Sequence, residues 1–187
     1  MKHFLTIVVA VISSFGLLAQ QNITYFNHTQ VGVFIGEESS DKEQKSLIPS
    51  FQTINGFLLD KQLGLGLGLG AEPFEYMTFP VFFAGYYFFN KLKNNPYLAV
   101  KVGHAFSNSH KKFNSYGYSG DYKHKGGLLF NPEVGVRLKT NNFDVTLSAG
   151  YRFQRLKSTA SAQQSTHYTY DHQTEYNRIS FALGIIF

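Results

Sequence analysis

The chain of 187 residues contains no cysteine and no tryptophan, and only 16% of its residues are charged. Without cysteine it can form neither a disulfide framework nor a thiolate metal site, and it cannot carry a lipid on an N-terminal cysteine. Globular proteins usually carry charge on about a quarter of their residues. The low charge therefore indicates more apolar surface than a small soluble domain usually has.

After residue 20 the chain also lacks any apolar run that could cross a membrane as a helix. The longest such run, Phe79 to Phe89, has eleven residues, whereas a spanning helix needs about 20. Backbone that crosses lipid must satisfy all its hydrogen bonds within the protein. A membrane-spanning form of this chain therefore has to be a closed β-barrel.

A secretion signal is predicted over residues 1–19. Lys2 provides a short basic start, an apolar run extends from Phe4 to Leu18, and Ala19 is a small residue at the expected cleavage point. The apolar run is short for a transmembrane anchor. We therefore expect export, with residues 20–187 forming the mature domain.

Residues 20–187 show a regular alternation of residue types. Apolar residues alternate with small or polar ones at period two, as in strands that have two different faces. Most of these runs have a length that suits tilted membrane-crossing strands. In the second run the assignment of residues to the two faces is ambiguous, and the fourth run is apolar on both faces. Eight strands are predicted, over residues 28–37, 49–59, 62–71, 78–90, 96–107, 126–139, 142–156 and 174–187.

Alternation alone leaves the inward face undecided, because a soluble lipid-binding barrel has the same pattern with an apolar interior. Glycine, alanine and serine dominate the polar face, and the crowded lumen of an eight-strand barrel needs small residues beside a few large ones. Short and long connections also alternate, as in outer-membrane barrels; the long polar ones are predicted at 38–48, 108–125 and 157–173. We therefore predict an all-β, transmembrane, antiparallel up-and-down barrel of about eight strands with its polar face inside.

The end of the chain carries a family resemblance. Its alternate apolar residues look like the C-terminal signal that the outer-membrane assembly machinery reads in bacterial barrels; they are Ile179, Phe181, Leu183, Ile185 and Phe187. The Gly-Leu-Gly repeat at 64–70 and the segments 80–84 and 86–88 resemble small eight-stranded outer-membrane barrels of the Bacteroidetes, which are OmpA/OmpX-like and porin-like. The resemblance implies a bacterial outer-membrane location, with lipopolysaccharide and the assembly machinery as partners. It implies little about activity, because the function of that group is largely unassigned.

Charged residues also fall on the predicted inner face, namely Lys101, Glu133, Arg137, Asp144, Arg152 and Arg178. Buried charges need partners or water, so these residues form either a path for anions or a structural plug of ion pairs. We favour the plug, because eight strands leave an interior that side chains just fill, whereas open channels need about sixteen strands.

Catalysis and metal binding have weak support. The segment from His104 to Asn108 faintly resembles the His-x-Ser-Asn motif of lipid A deacylases, but an extra residue puts His104 and Ser107 on opposite faces and separates base from nucleophile. The other histidines of the mature chain come without a carboxylate cluster; they are His28, His110, His124, His167 and His172. We therefore expect no cofactor, no metal and no enzyme activity, and a lipid A-modifying enzyme is the least favoured alternative.

One predicted loop, 108–125, mixes basic and aromatic residues. Its candidates for surface binding are Lys111, Lys112, Tyr116, Tyr118, Tyr122 and Lys123. Such a mixture can bind nucleic acid, but a surface loop would instead meet lipopolysaccharide phosphates or a partner surface, or simply extend the barrel. We expect a monomer with a non-enzymatic structural or surface-binding role and no nucleic acid partner. The alternative is a narrow porin-like channel for small solutes.

Overall fold

The structure is a computed structural model that describes residues 23–38, 41–74, 76–89, 95–107, 110–115, 118–163 and 167–187. The predicted signal peptide, residues 1–19, lies outside this part of the chain. The described residues form nine strands: β1 (Ile23–Glu38), β2 (Asp41–Leu59), β3 (Leu63–Pro73), β4 (Met77–Phe88), β5 (Asn95–Phe106), β6 (His110–Ser115), β7 (Tyr118–Lys139), β8 (Asp144–Gln163) and β9 (His167–Ile186).

These strands build one closed antiparallel barrel with eight strand positions. Sequential neighbours pair with each other, and the last strand, β9, returns to pair with β1. β5 and β6 both pair with β7, so the short β6 prolongs β5 and occupies the same position in the ring. The prediction of an all-β, up-and-down barrel of eight strands is confirmed.

The two ends of the barrel differ in construction. One end, called the turn end here, carries the short connections β2–β3, β4–β5 and β7–β8 together with Phe187, whose backbone bonds to that of Asn27. At the opposite end, called the extended end, β1, β2, β7, β8 and β9 are long. The prediction of long loops at 38–48, 108–125 and 157–173 was wrong, because most of these residues lie in strands. Backbone pairing continues the sheet even where the sequence is polar and the period-two signal fades.

The inner and outer faces follow the predicted alternation. The fourth run, which is apolar on both faces, is resolved by the structure: Phe82 and Tyr86 point inward and are buried, whereas Phe83 on the outer face is 72% exposed. In the ambiguous second run Gln52 points inward and Phe51 outward. The described residues include no helix long and apolar enough to cross a membrane.

Glycines on the inner face leave space for large side chains. A Cβ atom at Gly68 would collide with the Phe82 ring, and one at Gly135 would collide with the Tyr97 ring. On the outer face, a Cβ atom at Gly85 would meet no atom within 4 Å. The interior is therefore packed to contact distance at Gly68 and Gly135, whereas the outer wall has open space at Gly85.

Candidate functional site in the barrel interior

The interior has an aromatic layer near each end and a polar layer between them. At the turn end the buried cluster includes Phe26, Leu58, Tyr86, Phe88 and Tyr97. At the extended end it consists of Phe34, Ile48, Phe74, Tyr76, Leu156 and Tyr176. Phe74 and Tyr76 come from the β3–β4 connection and fold back into the barrel rather than outward. Both apolar layers therefore cover polar side chains at mid-height.

The polar layer is built around five side chains, called the central network here: Gln52, Glu72, Lys101, Glu133 and Arg152. Lys101 Nζ lies 2.7 Å from Glu133 Oε1 and donates a second hydrogen bond to Gln52 Oε1 at 3.0 Å. Gln52 Nε2 in turn donates to Glu72 Oε1 at 2.9 Å. Glu72 Oε2 accepts from Arg152 Nη2 at 2.5 Å. Two ion pairs are thus joined by one amide side chain.

Each member of the central network belongs to a different strand, namely β2, β3, β5, β7 and β8. All five residues are at most 5% exposed, and Glu72, Lys101 and Arg152 are completely buried. The two cations and two carboxylates balance in charge, which offsets the cost of removing each ion from water. The network therefore links five of the eight strand positions across the lumen.

Aromatic rings border the central network. Lys101 Nζ lies 5.9 Å from the centre of the Phe82 ring, and Arg152 Cζ lies 5.1 Å from the centre of the Phe34 ring. Cations are attracted to ring faces at such distances, most strongly where water is excluded. These rings add contacts to cations whose carboxylate partners lie on other strands.

The structure places all six charged residues predicted for the lumen on the inner face. Lys101 and Glu133 pair with each other, and Arg137 pairs with Asp144 at 2.6 Å near the turn end, where Arg137 also lies 5.0 Å from the Phe88 ring. Arg152 joins the central network through Glu72.

Arg178 lies in the aromatic layer of the extended end. It is 2% exposed, and its guanidinium carbon lies 5.3 Å from the Tyr176 ring and 5.8 Å from the Phe74 ring. Arg178 is also the direct register partner of Arg152 on the neighbouring strand. The charged residues predicted from the sequence therefore form one pair at the turn end and one group at and beside the central network.

Sequence reasoning missed two members of the central network, Glu72 and Gln52. Glu72 continues the inward parity of the glycines at 64, 66, 68 and 70, but the predicted strand ended one residue earlier, at 71. Gln52 lies in the ambiguous run, where parity alone left its direction open. Extending the inward parity of the glycine repeat by one step would have identified Glu72 as a carboxylate inside the barrel.

A smaller polar contact is centred on His28, which is buried and lies between the turn-end layer and β8. Its Nδ1 lies 3.1 Å from the Tyr86 hydroxyl and its Nε2 lies 2.9 Å from Thr146 Oγ1. This ring therefore connects β1, β4 and β8 and satisfies both of its nitrogens inside the barrel. Its surroundings are those of a structural histidine.

The remaining candidates do not converge on one site. His104 points outward and contacts the Phe106 ring at 4.6 Å, whereas Ser107 has the inward parity, so the two lie on opposite faces as the alternation predicts. His124 stacks on Tyr76 at 3.9 Å. No group of three or more histidine, cysteine, aspartate or glutamate residues in the described part of the chain could hold a metal ion.

Of the candidates for surface binding, Lys123 is described; it is exposed and lies at the extended end. Tyr116 and the side chains of Lys111, Lys112, Tyr118 and Tyr122 lie outside the described part of the chain. The C-terminal residues Phe181, Leu183, Ile185 and Phe187 all point outward and are exposed.

The fold and interior define a class, the small closed β-barrel of eight antiparallel strands. Among solved structures the chain is similar to Neisserial surface protein A (NspA), with 13% identity, a TM-score of 0.52 and coverage of 88% of this chain and 96% of that one. It also matches outer membrane protein AlkL, solved in DMPC lipid bilayers, with 15% identity, a TM-score of 0.43 and coverage of 87% and 90%. At this identity the likeness to NspA shows the fold alone. No known protein family and no curated protein matches the sequence.

Proposed function

We propose that this protein is an integral bacterial outer-membrane barrel with a closed lumen and a non-enzymatic role, either structural or in binding at the extended end. One observation carries the proposal: charged side chains are buried at the centre, while large apolar side chains cover the outside. A soluble protein has the opposite arrangement, because charge is hydrated and apolar surface is buried.

The outer wall supports insertion into lipid. Every strand position presents exposed large apolar residues, among them Val31, Phe51, Leu67, Phe83, Val102, Val134, Leu147 and Phe181. Soluble monomers rarely expose a continuous apolar patch larger than a few hundred Å². A band of this kind around a closed barrel is typical of proteins whose outer surface is covered by acyl chains.

Aromatic residues lie at both edges of this band, where membrane barrels place their aromatic girdles. Those exposed near the turn end include Tyr25, Phe57, Tyr87, Phe143 and Phe187, and those towards the extended end include Phe79, Phe106 and Phe130. Aromatic rings favour the boundary between acyl chains and headgroups. The band between the girdles therefore marks the segment that we assign to the bilayer.

The interior supports a closed barrel. The central network links five strand positions, and an aromatic layer lies on each side of it. Eight strands leave a lumen that side chains just fill. The packing is tight, because an added Cβ atom at Gly68 or Gly135 would collide with an aromatic ring. A role at the outer surface or the extended end therefore fits this interior better than passage of solutes through the lumen.

The predicted signal peptide over residues 1–19 and the C-terminal alternation ending at Phe187 support export and assembly in the outer membrane. The protein would then contact outer-membrane lipid and lipopolysaccharide as a monomer and would depend on the assembly machinery. Deleting residues 2–19 should leave the protein in the cytoplasm, whereas the full chain should fractionate with the outer membrane. Recovery of the full chain in the soluble fraction would contradict the proposal.

The closed lumen is tested by planar-bilayer recording of the purified, folded protein. We expect insertion without a steady conductance. A stable ohmic conductance would favour the porin-like alternative for small solutes. Mass spectrometry of lipid A from cells with and without the protein tests the enzymatic alternative, and we expect identical lipid A in both.

A further inference from the structure

On β7 and β8, the outward side chains change from apolar to basic at one level of the barrel. On β7 the exposed Leu128 and Phe130 are the last apolar outward residues before Lys125 and Lys123. On β8 the corresponding change follows Phe153, where Arg155 lies over the Phe153 ring at 5.8 Å. The basic residues therefore lie directly beyond the apolar band, on the side of the extended end.

A β-bulge positions one of these lysines. Opposite β8, His124 pairs with Ser158 but Gly126 pairs with Lys157, so Lys125 is an extra residue without a partner in the register. Gly126 has a φ of 77°, and a Cβ atom there would collide with the Ala105 carbonyl oxygen. A bulge of this kind redirects a side chain, and here it brings Lys125 to the same depression as Lys157.

That depression has a volume of about 280 Å³ and is lined by Lys125, Lys157, Ser158, Thr159, Asp171 and Gln173. The nearby carboxylates already have partners: Asp171 accepts from Thr159 at 2.7 Å, and Glu175 pairs with Arg155 at 2.8 Å. Within the described residues, neither Lys125 nor Lys157 has a carboxylate at ion-pair distance. Two exposed ammonium groups therefore line one depression together with a single carboxylate, Asp171, which leaves an excess of positive charge.

We infer that this depression, formed by Lys125 and Lys157 beside Thr159 and Gln173, binds the phosphate of a lipid headgroup in the adjoining leaflet. The inference rests on the proposed membrane location, because the apolar band puts the acyl chains next to Leu128 and Phe153. A headgroup phosphate then lies at the level of the two lysines. Ammonium groups bind phosphate as point charges, and hydroxyl and amide groups add hydrogen bonds. Outer-membrane barrels keep their short turns on the periplasmic side, so the extended end would lie at the outer leaflet, where this headgroup is that of phosphorylated lipid A.

The test uses the full-length mature protein in phosphatidylcholine nanodiscs, with binding of lipid A measured by native mass spectrometry. We expect wild-type protein to retain phosphorylated lipid A in preference to dephosphorylated lipid A with the same acyl chains. Lys125→Gln with Lys157→Gln should weaken binding of the phosphorylated form about 25-fold, about fivefold for each lysine. Binding of the dephosphorylated form should stay unchanged.

Three controls make the result specific. Lys61→Gln with Lys139→Gln removes the same charge at the turn end and should keep wild-type affinity. Lys125→Arg with Lys157→Arg should keep most of the binding. If the double glutamine variant does not fold, as judged by the heat-dependent gel mobility of folded barrels, either single glutamine variant can replace it. A large excess of inorganic phosphate should not compete, because the acyl chains contribute to the affinity.

Equal binding of both lipid A forms by the wild type, or an equal loss in the turn-end variant, would overturn the inference. Competition by inorganic phosphate alone would assign the site to the free ion instead of a headgroup. Failure of the protein to enter nanodiscs would instead contradict the proposed membrane function. The two failures are therefore distinguishable.

Discussion

Arg152 and Arg155 lie three residues apart on β8, point to opposite faces and each pair with a glutamate. The inner pair, Arg152 with Glu72, has no exposed side-chain surface, whereas the side chains of the outer pair, Arg155 with Glu175, are 38% and 43% exposed. Water can replace a lost partner on the outside, but nothing comparable solvates a lone charge at the centre of the barrel. The same ion-pair chemistry is therefore structural inside and nearly dispensable outside.

The largest expected effect follows from Glu72→Ala. Arg152 would lose its carboxylate while remaining buried, and Gln52 would lose an acceptor, so we expect a loss of about 3–5 kcal/mol in the free energy of unfolding. Denaturant titration in detergent, followed by far-UV circular dichroism because the chain has no tryptophan, measures the change. Replacing both Glu72 and Arg152 by Met should recover much of the loss. A loss below about 1 kcal/mol in the single variant would show that the inner pair behaves like a surface pair.

The second-largest loss of stability is expected from glycine substitutions, which compare side-chain packing on the inner and outer faces of the barrel. Gly68→Val places a side chain against the Phe82 ring and should cost about 1–3 kcal/mol. Gly85→Val is the matched control on the outer face, where the added atoms meet open space and valine suits a strand. Equal destabilisation by both substitutions would mean that the interior is not packed as described. Thermal unfolding of the two variants in the same detergent provides the comparison.

An intermediate effect is expected at the turn end, where Arg137 and Asp144 pair with side chains 14% and 13% exposed. Arg137→Ala removes this ion pair and the contact with Phe88. Because water reaches this pair, we expect a cost of about 1–2 kcal/mol. A loss of stability as large as that of Glu72→Ala would show that this pair is as important for folding as the central network. The same denaturant titration decides between the two results.

The smallest effect should come from the outer pair itself. Arg155→Ala exposes Glu175 to water that already reaches it, so the expected cost is below about 1 kcal/mol and should shrink further with added salt. Titrations at low and high ionic strength measure both effects. A large, salt-independent loss would contradict the contrast between the two faces of β8.

Period two was sufficient to predict a barrel with two different faces, and the small residues on the polar face indicated which of them points inward. The parity that placed Lys101 and Glu133 inside also applies to Glu72, but the predicted strand ended too early. Strand extension beyond the band was not predictable, since polar residues on both faces give no alternation there. The pairing of Arg152 with Glu72 required the register across the ring, which a single sequence does not encode locally. The bulge at Lys125 was likewise hidden, although Gly126 and Gly127 mark its position.

The central claim, that the buried charges hold a closed barrel together, is tested most directly by Glu133→Ala. This substitution leaves Lys101 with Gln52 as its remaining polar partner in the central network, and we expect a loss of about 3 kcal/mol in the free energy of unfolding. Unfolding and planar-bilayer conductance are measured on the same preparation, with wild-type protein and Arg155→Ala as controls. The account predicts clear destabilisation with the conductance unchanged. A large gain in conductance with unchanged unfolding would contradict it and would identify the charges as the lining of a channel.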